Sequence, residues 1–109
     1  MKVSELIEKL DLKVLAGAGG AENELSGCYI SDMLSYVMSR ASKGNVWLTV
    51  QTNINVVAVA VLTEVGCVIL PENITADENT VKKADIEDVP ILSTPKTAYE
   101  IACLIKDMV

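Results

Sequence analysis

At 109 residues, half of them hydrophobic, the chain suits one domain with a core that needs no metal or disulfide staple. Its 15 acidic and 9 basic residues leave a net charge of −6, which argues against a nucleic-acid partner, because phosphates call for a basic face. Three widely spaced cysteines (Cys28, Cys67 and Cys103) fit reduced thiols of a cytoplasmic protein, and the longest unbroken apolar run, residues 56–62, excludes a membrane span of roughly 20 residues.

Val3, Leu6, Ile7 and Leu10 recur at helical spacing and predict a short first helix. Residues 13–16 read as a strand, Gly17-Ala18-Gly19-Gly20 breaks it, and residues 25–30 read as a second strand, the two forming a hairpin-like pair. Ser31 or Asp32 is placed to cap a helix through Met33, Leu34, Val37 and Met38 that ends near Gly44. Residues 46–50 are β-branched and aromatic, as a strand requires. Asn53 then caps a helix over residues 54–65, with Gly66 in the left-handed position that ends it. The β-branched content of this segment favours strand. Positions 54, 57, 58, 61, 62 and 65 nevertheless form a complete helical stripe, and parallel strands on either side need a crossover of about a dozen residues. The rival is a hairpin turning at Thr52-Asn53.

Residues 67–70 follow as a buried strand closed by Pro71. Thr75 and Glu78 have capping-box spacing before a polar helix reaching Asp88. A strand over residues 90–92 comes next. A last helix opens with Thr94 as cap and Pro95 as first residue, and Ala98, Ile101, Ala102, Ile105 and Val109 share one of its faces. The second half is thus β-α-β-α-β-α, and the whole chain reads as a single α/β domain with a small, mainly parallel sheet and right-handed crossovers.

In such a sheet ligands gather beyond the carboxyl ends of the strands. Three loops meet there: residues 51–55, residues 71–75, and Ser93-Thr94. Gln51, Thr52, Asn53, Asn55, Ser93 and Thr94 are candidates to bind a small polar effector, as are Ser31 and Asp32 if they face the same edge. The competing explanation is that these residues only cap helices and satisfy loop backbone. Val56, Val59 and Ala60 form a second apolar side of the central helix, either covered within the domain or contacting a second copy in a homodimer.

No catalytic or metal-binding constellation emerges, and no cofactor is implied. Histidine is absent, the cysteines lack C-x-x-C spacing, and the glycine-rich turn fits neither phosphate-loop pattern. Cys28 reads as an inert thiol, with a nucleophile as the alternative. Asp85, Glu87 and Asp88 read as a solvated helix end, the alternative being a divalent-ion site with Asp77 and Glu78.

Several phrases taken together resemble the DRTGG-domain family across nearly the whole chain. The most telling are Gly27-Cys28-Tyr29-Ile30-Ser31-Asp32-Met33-Leu34, Trp47-Leu48-Thr49-Val50-Gln51-Thr52-Asn53 and Pro90-Ile91-Leu92-Ser93-Thr94. The pentapeptide that names the family is absent. The resemblance implies a fold similar to the N-terminal domain of HPr kinase/phosphorylase. It also implies a regulatory or dimerising module with no catalytic residues to carry over, or an accessory subunit of a redox or hydrogenase-related partner enzyme.

Overall fold

A computed structural model describes residues 1–109. Its centre is explained by three runs of apolar residues. Val46-Trp47-Leu48, Cys67-Val68-Ile69-Leu70 and Ile91-Leu92-Ser93 are buried at every position, as parallel strands covered on both faces must be. Flanked by β1 (Lys13–Ala16) and β2 (Cys28–Ile30), these strands, β3 to β5, form a five-stranded sheet of order β1-β5-β4-β3-β2. All neighbours are parallel except β1 and β5.

Alternation along each strand makes two cores. Trp47, Val68, Leu70 and Ile91 face the helices α2 (Leu34–Arg40), α3 (Asn55–Thr63) and α4 (Glu78–Glu87). Val46, Leu48, Cys67, Ile69 and Leu92 face α1 (Val3–Leu10) and α5 (Ala98–Ile105). The segment with strong β propensity after Asn53 is helical, as its stripe predicts. It lies between α2 and α4 over the sheet and buries Val56, Val57, Val59 and Ala60.

Several expectations need correction. The first two strands do not pair with each other. Right-handed crossovers set β2 beside β3 at one end of the sheet, and β1 takes the free side of β5 at the other, with Lys13 opposite Ser93 and Val14 opposite Leu92. The chain between them rounds the amino ends of the strands through a 3₁₀ turn, Ala18–Gly20. Gly17 starts that turn with φ 74°, and a Cβ there would stand 1.8 Å from the Val89 carbonyl oxygen, so only glycine fits.

Helix ends also moved. Met33, not Ser31 or Asp32, precedes α2, and Asp77 rather than Thr75 precedes α4. The last helix starts at Thr97, whose hydroxyl accepts from Glu100 N–H while the Glu100 carboxylate accepts from Thr97 N–H. Thr94 and Pro95 remain in the preceding loop. Glu64, with φ 56°, takes the left-handed position expected of Gly66. At Gly66 the packing is close instead: a Cβ there would meet the end of the Leu25 side chain at 2.5 Å and the Gly44 carbonyl oxygen at 3.1 Å.

Candidate functional site

Thr49 follows β3 with only 3% of its surface exposed, so its hydroxyl requires an internal partner. It donates to Asp32 Oδ1 at 2.9 Å, and the same oxygen accepts from Val50 N–H at 2.9 Å. This is why Asp32 does not cap α2: its carboxylate is taken by the next strand's loop. Gln51 donates from Nε2 to the Asp32 carbonyl at 2.9 Å and accepts at Oε1 from Asn53 Nδ2 at 2.9 Å. Asn53 Oδ1 accepts from Asn55 N–H at 2.9 Å, one residue earlier than a cap of α3, which Ile54 precedes without a side-chain cap. Ser31 is tied to the same corner, accepting from Met33 N–H at Oγ and from Trp47 Nε1 at its carbonyl.

The polar residues amid the apolar run therefore form one bonded network at the carboxyl ends of β2 and β3. Asp32 is exposed, and Gln51, Thr52 and Asn53 are partly so.

A second group lies further along the same rim. The Thr52 carbonyl accepts from Asp77 N–H at 3.1 Å and from the Thr80 hydroxyl at 2.8 Å, and the Thr52 hydroxyl donates to Asp77 Oδ1 at 3.2 Å. Thr94 N–H donates to the Leu70 carbonyl, and the Thr94 carbonyl accepts from Asn73 N–H at 2.9 Å. Glu72 and Asn73 adopt left-handed backbone to make this link. Ser93 and Thr94 are 7% and 2% exposed.

The sequence-predicted residues thus separate into two clusters. Ser31, Asp32, Gln51, Asn53 and Asn55 stand together. Ser93 and Thr94 stand about 10–14 Å away, two to three strand spacings along the sheet, with Thr52 bridging toward α4. Sequence reading did not place Thr49, Asp77 or Thr80 at this rim. Thr49 had a signal, polarity directly after a strand, whereas Asp77 and Thr80 belong to the start of α4 and reach Thr52 only through the packing of α4 beside α3.

Val56, Val59 and Ala60, expected as a contact surface, are 1%, 6% and 2% exposed and belong to the chain's own core between α2 and α4. Ala58, Val61 and Leu62 form the outward side of α3. The acidic cluster is also divided. Asp85 Oδ1 accepts from Gly17 N–H at 2.7 Å, while Glu87 pairs with Lys83 at 3.2 Å. No three Cys, Asp or Glu side chains converge as a metal site, and no helix is long and apolar enough to cross a membrane.

Burial pushes the Cys67 thiol up to about 12, and desolvation by its neighbours pushes Cys28 up to about 11, the opposite of what activates a nucleophile. A cleft of about 510 Å³ occupies the opposite edge of the sheet, where β4 and β5 begin, lined by Gly19, Gly44, Glu64, Gly66 and Asp88 among others.

The family model for the DRTGG domain matches residues 5–108. The chain belongs to the DRTGG domain family. This DRTGG domain also resembles, with a TM-score of 0.70 and 12% identity, a crystal structure of the CBS and DRTGG domains of the regulatory region of Clostridium perfringens pyrophosphatase, complexed with the activator diadenosine tetraphosphate. The alignment covers 95% of this chain and 45% of that one, so the likeness is one of fold, over less than half of the larger chain. No curated protein matches the sequence.

Proposed function

We propose that this DRTGG domain is a non-catalytic regulatory module that binds a small polar or nucleotide-like effector at the carboxyl rim and associates with a second copy of itself. The observation that carries the effector reading is the network around Asp32. Its members are held by one another before any ligand arrives, so binding has little side-chain ordering to oppose it. Asp32 Oδ1 takes both internal bonds and the carboxylate remains exposed, an arrangement suited to accepting from a sugar hydroxyl or a base amino group. The relative crystallised with a dinucleotide activator in its regulatory region points to the same ligand class. The raised Cys28 and Cys67 thiols support a non-enzymatic role, and the fold family supports a regulatory one.

The test is a thermal-shift screen with adenine and uridine nucleotides on the wild type and on the double variant Gln51→Ala/Asn53→Ala. A nucleotide that raises the wild-type melting temperature is expected to lose its effect in the variant. A shift of unchanged size would place the binding elsewhere.

A second reading, an accessory subunit holding a partner enzyme, is favoured by the exposed apolar side of α3. There Val61 and Leu62 are 45% and 65% exposed and line, with Val57 and Ala58, a groove against Lys83 and Glu87 of α4. A specific enzyme retained by the wild type and released by Leu62→Glu would establish it.

A further inference from the structure

The two edges of the sheet are built differently. β1 begins with Lys13, and its register with β5 shifts between Val14 and Ala16; a lysine and a bulge are both devices that keep an edge from pairing with another chain. β2 has only its shortness. Gly27-Cys28-Tyr29-Ile30-Ser31 contains no charge and no proline, and its register with β3 is regular. Val46 N–H donates to the Gly27 carbonyl and Ser31 N–H to the Leu48 carbonyl. In a parallel ladder alternate residues bond to the same neighbour, so residues 27, 29 and 31 serve β3. The N–H and C=O groups of Cys28 and Ile30 therefore point out of the sheet.

The side chains around this edge are equally uncovered. Cys28 is exposed and Ile30 is 52% exposed on the face that α1 and α5 cover only over the inner strands. On the other face, right-handed crossovers make α2 the outermost helix. Leu34, Val37 and Ala41 hold it to the core. Met33, Tyr36 and Arg40 share the flank turned away from α3, toward β2. Met33 and Tyr36 are 55% and 45% exposed, and the Arg40 guanidinium lies 4.3 Å over the Tyr36 ring.

We propose that this edge pairs with the same edge of a second copy, the two β2 strands running antiparallel about a dyad at Tyr29 and joining two five-stranded sheets into one. The inference rests on the self-association reading above and supplies its surface. In this register Cys28 and the partner's Ile30 exchange both backbone bonds, and so do Ile30 and the partner's Cys28. Each small side chain stands beside a large one.

The charges select a second copy running in that direction. Asp32 and Arg40 are the only charged residues between Leu25 and Ser42. Asp32 lies at the carboxyl end of β2, and α2 carries Arg40 back toward the amino end. Antiparallel pairing brings each Arg40 to the level of the partner's Asp32, whereas parallel pairing would set like beside like. Since β2 is only three residues long, the two α2 flanks supply most of the buried apolar surface.

The test is sedimentation of the full chain over a concentration series. The wild type is expected to dimerise. Ile30→Lys, exposed at the edge and outside the rim network, is expected to weaken dimerisation at least about tenfold while keeping the wild-type circular dichroism. Tyr29→Cys in a Cys28→Ser/Cys103→Ser background is expected to give a disulfide-linked dimer on mild oxidation, because directly opposed residues at a non-hydrogen-bonded position bring their Cβ atoms within bridging range.

A wild type that stays monomeric at every concentration overturns both the inference and the self-association reading. Dimerisation of Ile30→Lys at wild-type strength overturns the inference alone, as does a folded, dimeric Tyr29→Cys variant that does not cross-link. A nucleotide-induced thermal shift retained in Ile30→Lys shows that the effector reading stands apart from either outcome.

Discussion

Thr49 and Asp32 show how a single buried hydroxyl can relocate a helix start. Left without a partner, the Thr49 hydroxyl would cost about 1–3 kcal/mol, and Asp32 is the acceptor that β2 delivers beside it. Once committed there, Asp32 cannot also cap α2, and the helix begins at Leu34 without a side-chain cap. Thr97 and Glu100 illustrate the contrary case, a cap satisfied entirely by local chemistry. The bonds from the Thr97 N–H and hydroxyl, with Lys96 nearby, hold the Glu100 carboxyl below its ordinary 4.5. A depressed carboxyl stabilises the fold above its unfolded value and loses that contribution as pH falls through the folded one. Glu100→Gln keeps the capping geometry and removes the charge. Compared by urea denaturation, the wild type should exceed this variant in stability at pH 7, and the difference should fade on acidification below about 4.5.

At the level of elements, the sequence was most legible where burial and periodicity agreed. α1, β1 and β4 occupy the expected residues because each is bounded by its own pattern: an amphipathic stripe, a glycine break, a proline. The central helix was legible against its own propensity from its helical spacing, but the stripe at 54, 57, 58, 61, 62 and 65 is not its buried side: Ile54, Ala58, Val61 and Leu62 are exposed, and Val56, Val57, Val59 and Ala60 face the core. Whether its second apolar side is covered within the domain or by a second copy was left open by the sequence, because strand order was not visible. Only the sheet sequence β2-β3-β4-β5 reveals that α2 and α4 flank α3 on both sides. Val59→Ala tests this placement. It should cost about 2 kcal/mol in a denaturation midpoint, as a core truncation does, and leave the mass in solution unchanged.

The candidate site was half legible for a related reason. Amides and hydroxyls clustered after a strand mark a rim, so residues 51–55 could be found in the sequence. That Asp32 belongs with them, and that Ser93 and Thr94 stand apart, follows from which strands are neighbours.

For the molecule as a whole, the middle of the sheet is its least accessible place. Cys67 lies there on β4, with no exposed surface and its thiol pushed up to about 12. Packing from α1 and α5 seals it on its own face, and β3 and β5 seal it edgewise. Local fraying cannot reach it; only an opening that separates the inner strands can. With an aromatic disulfide reagent at neutral pH, Cys103 should react promptly and Cys67 only at the rate set by such openings, the labelled peptides being separated by mass. The slow cysteine then acts as a clock inside the protein, and its ticking, compared with the same thiol in urea, measures how seldom the whole sheet comes apart.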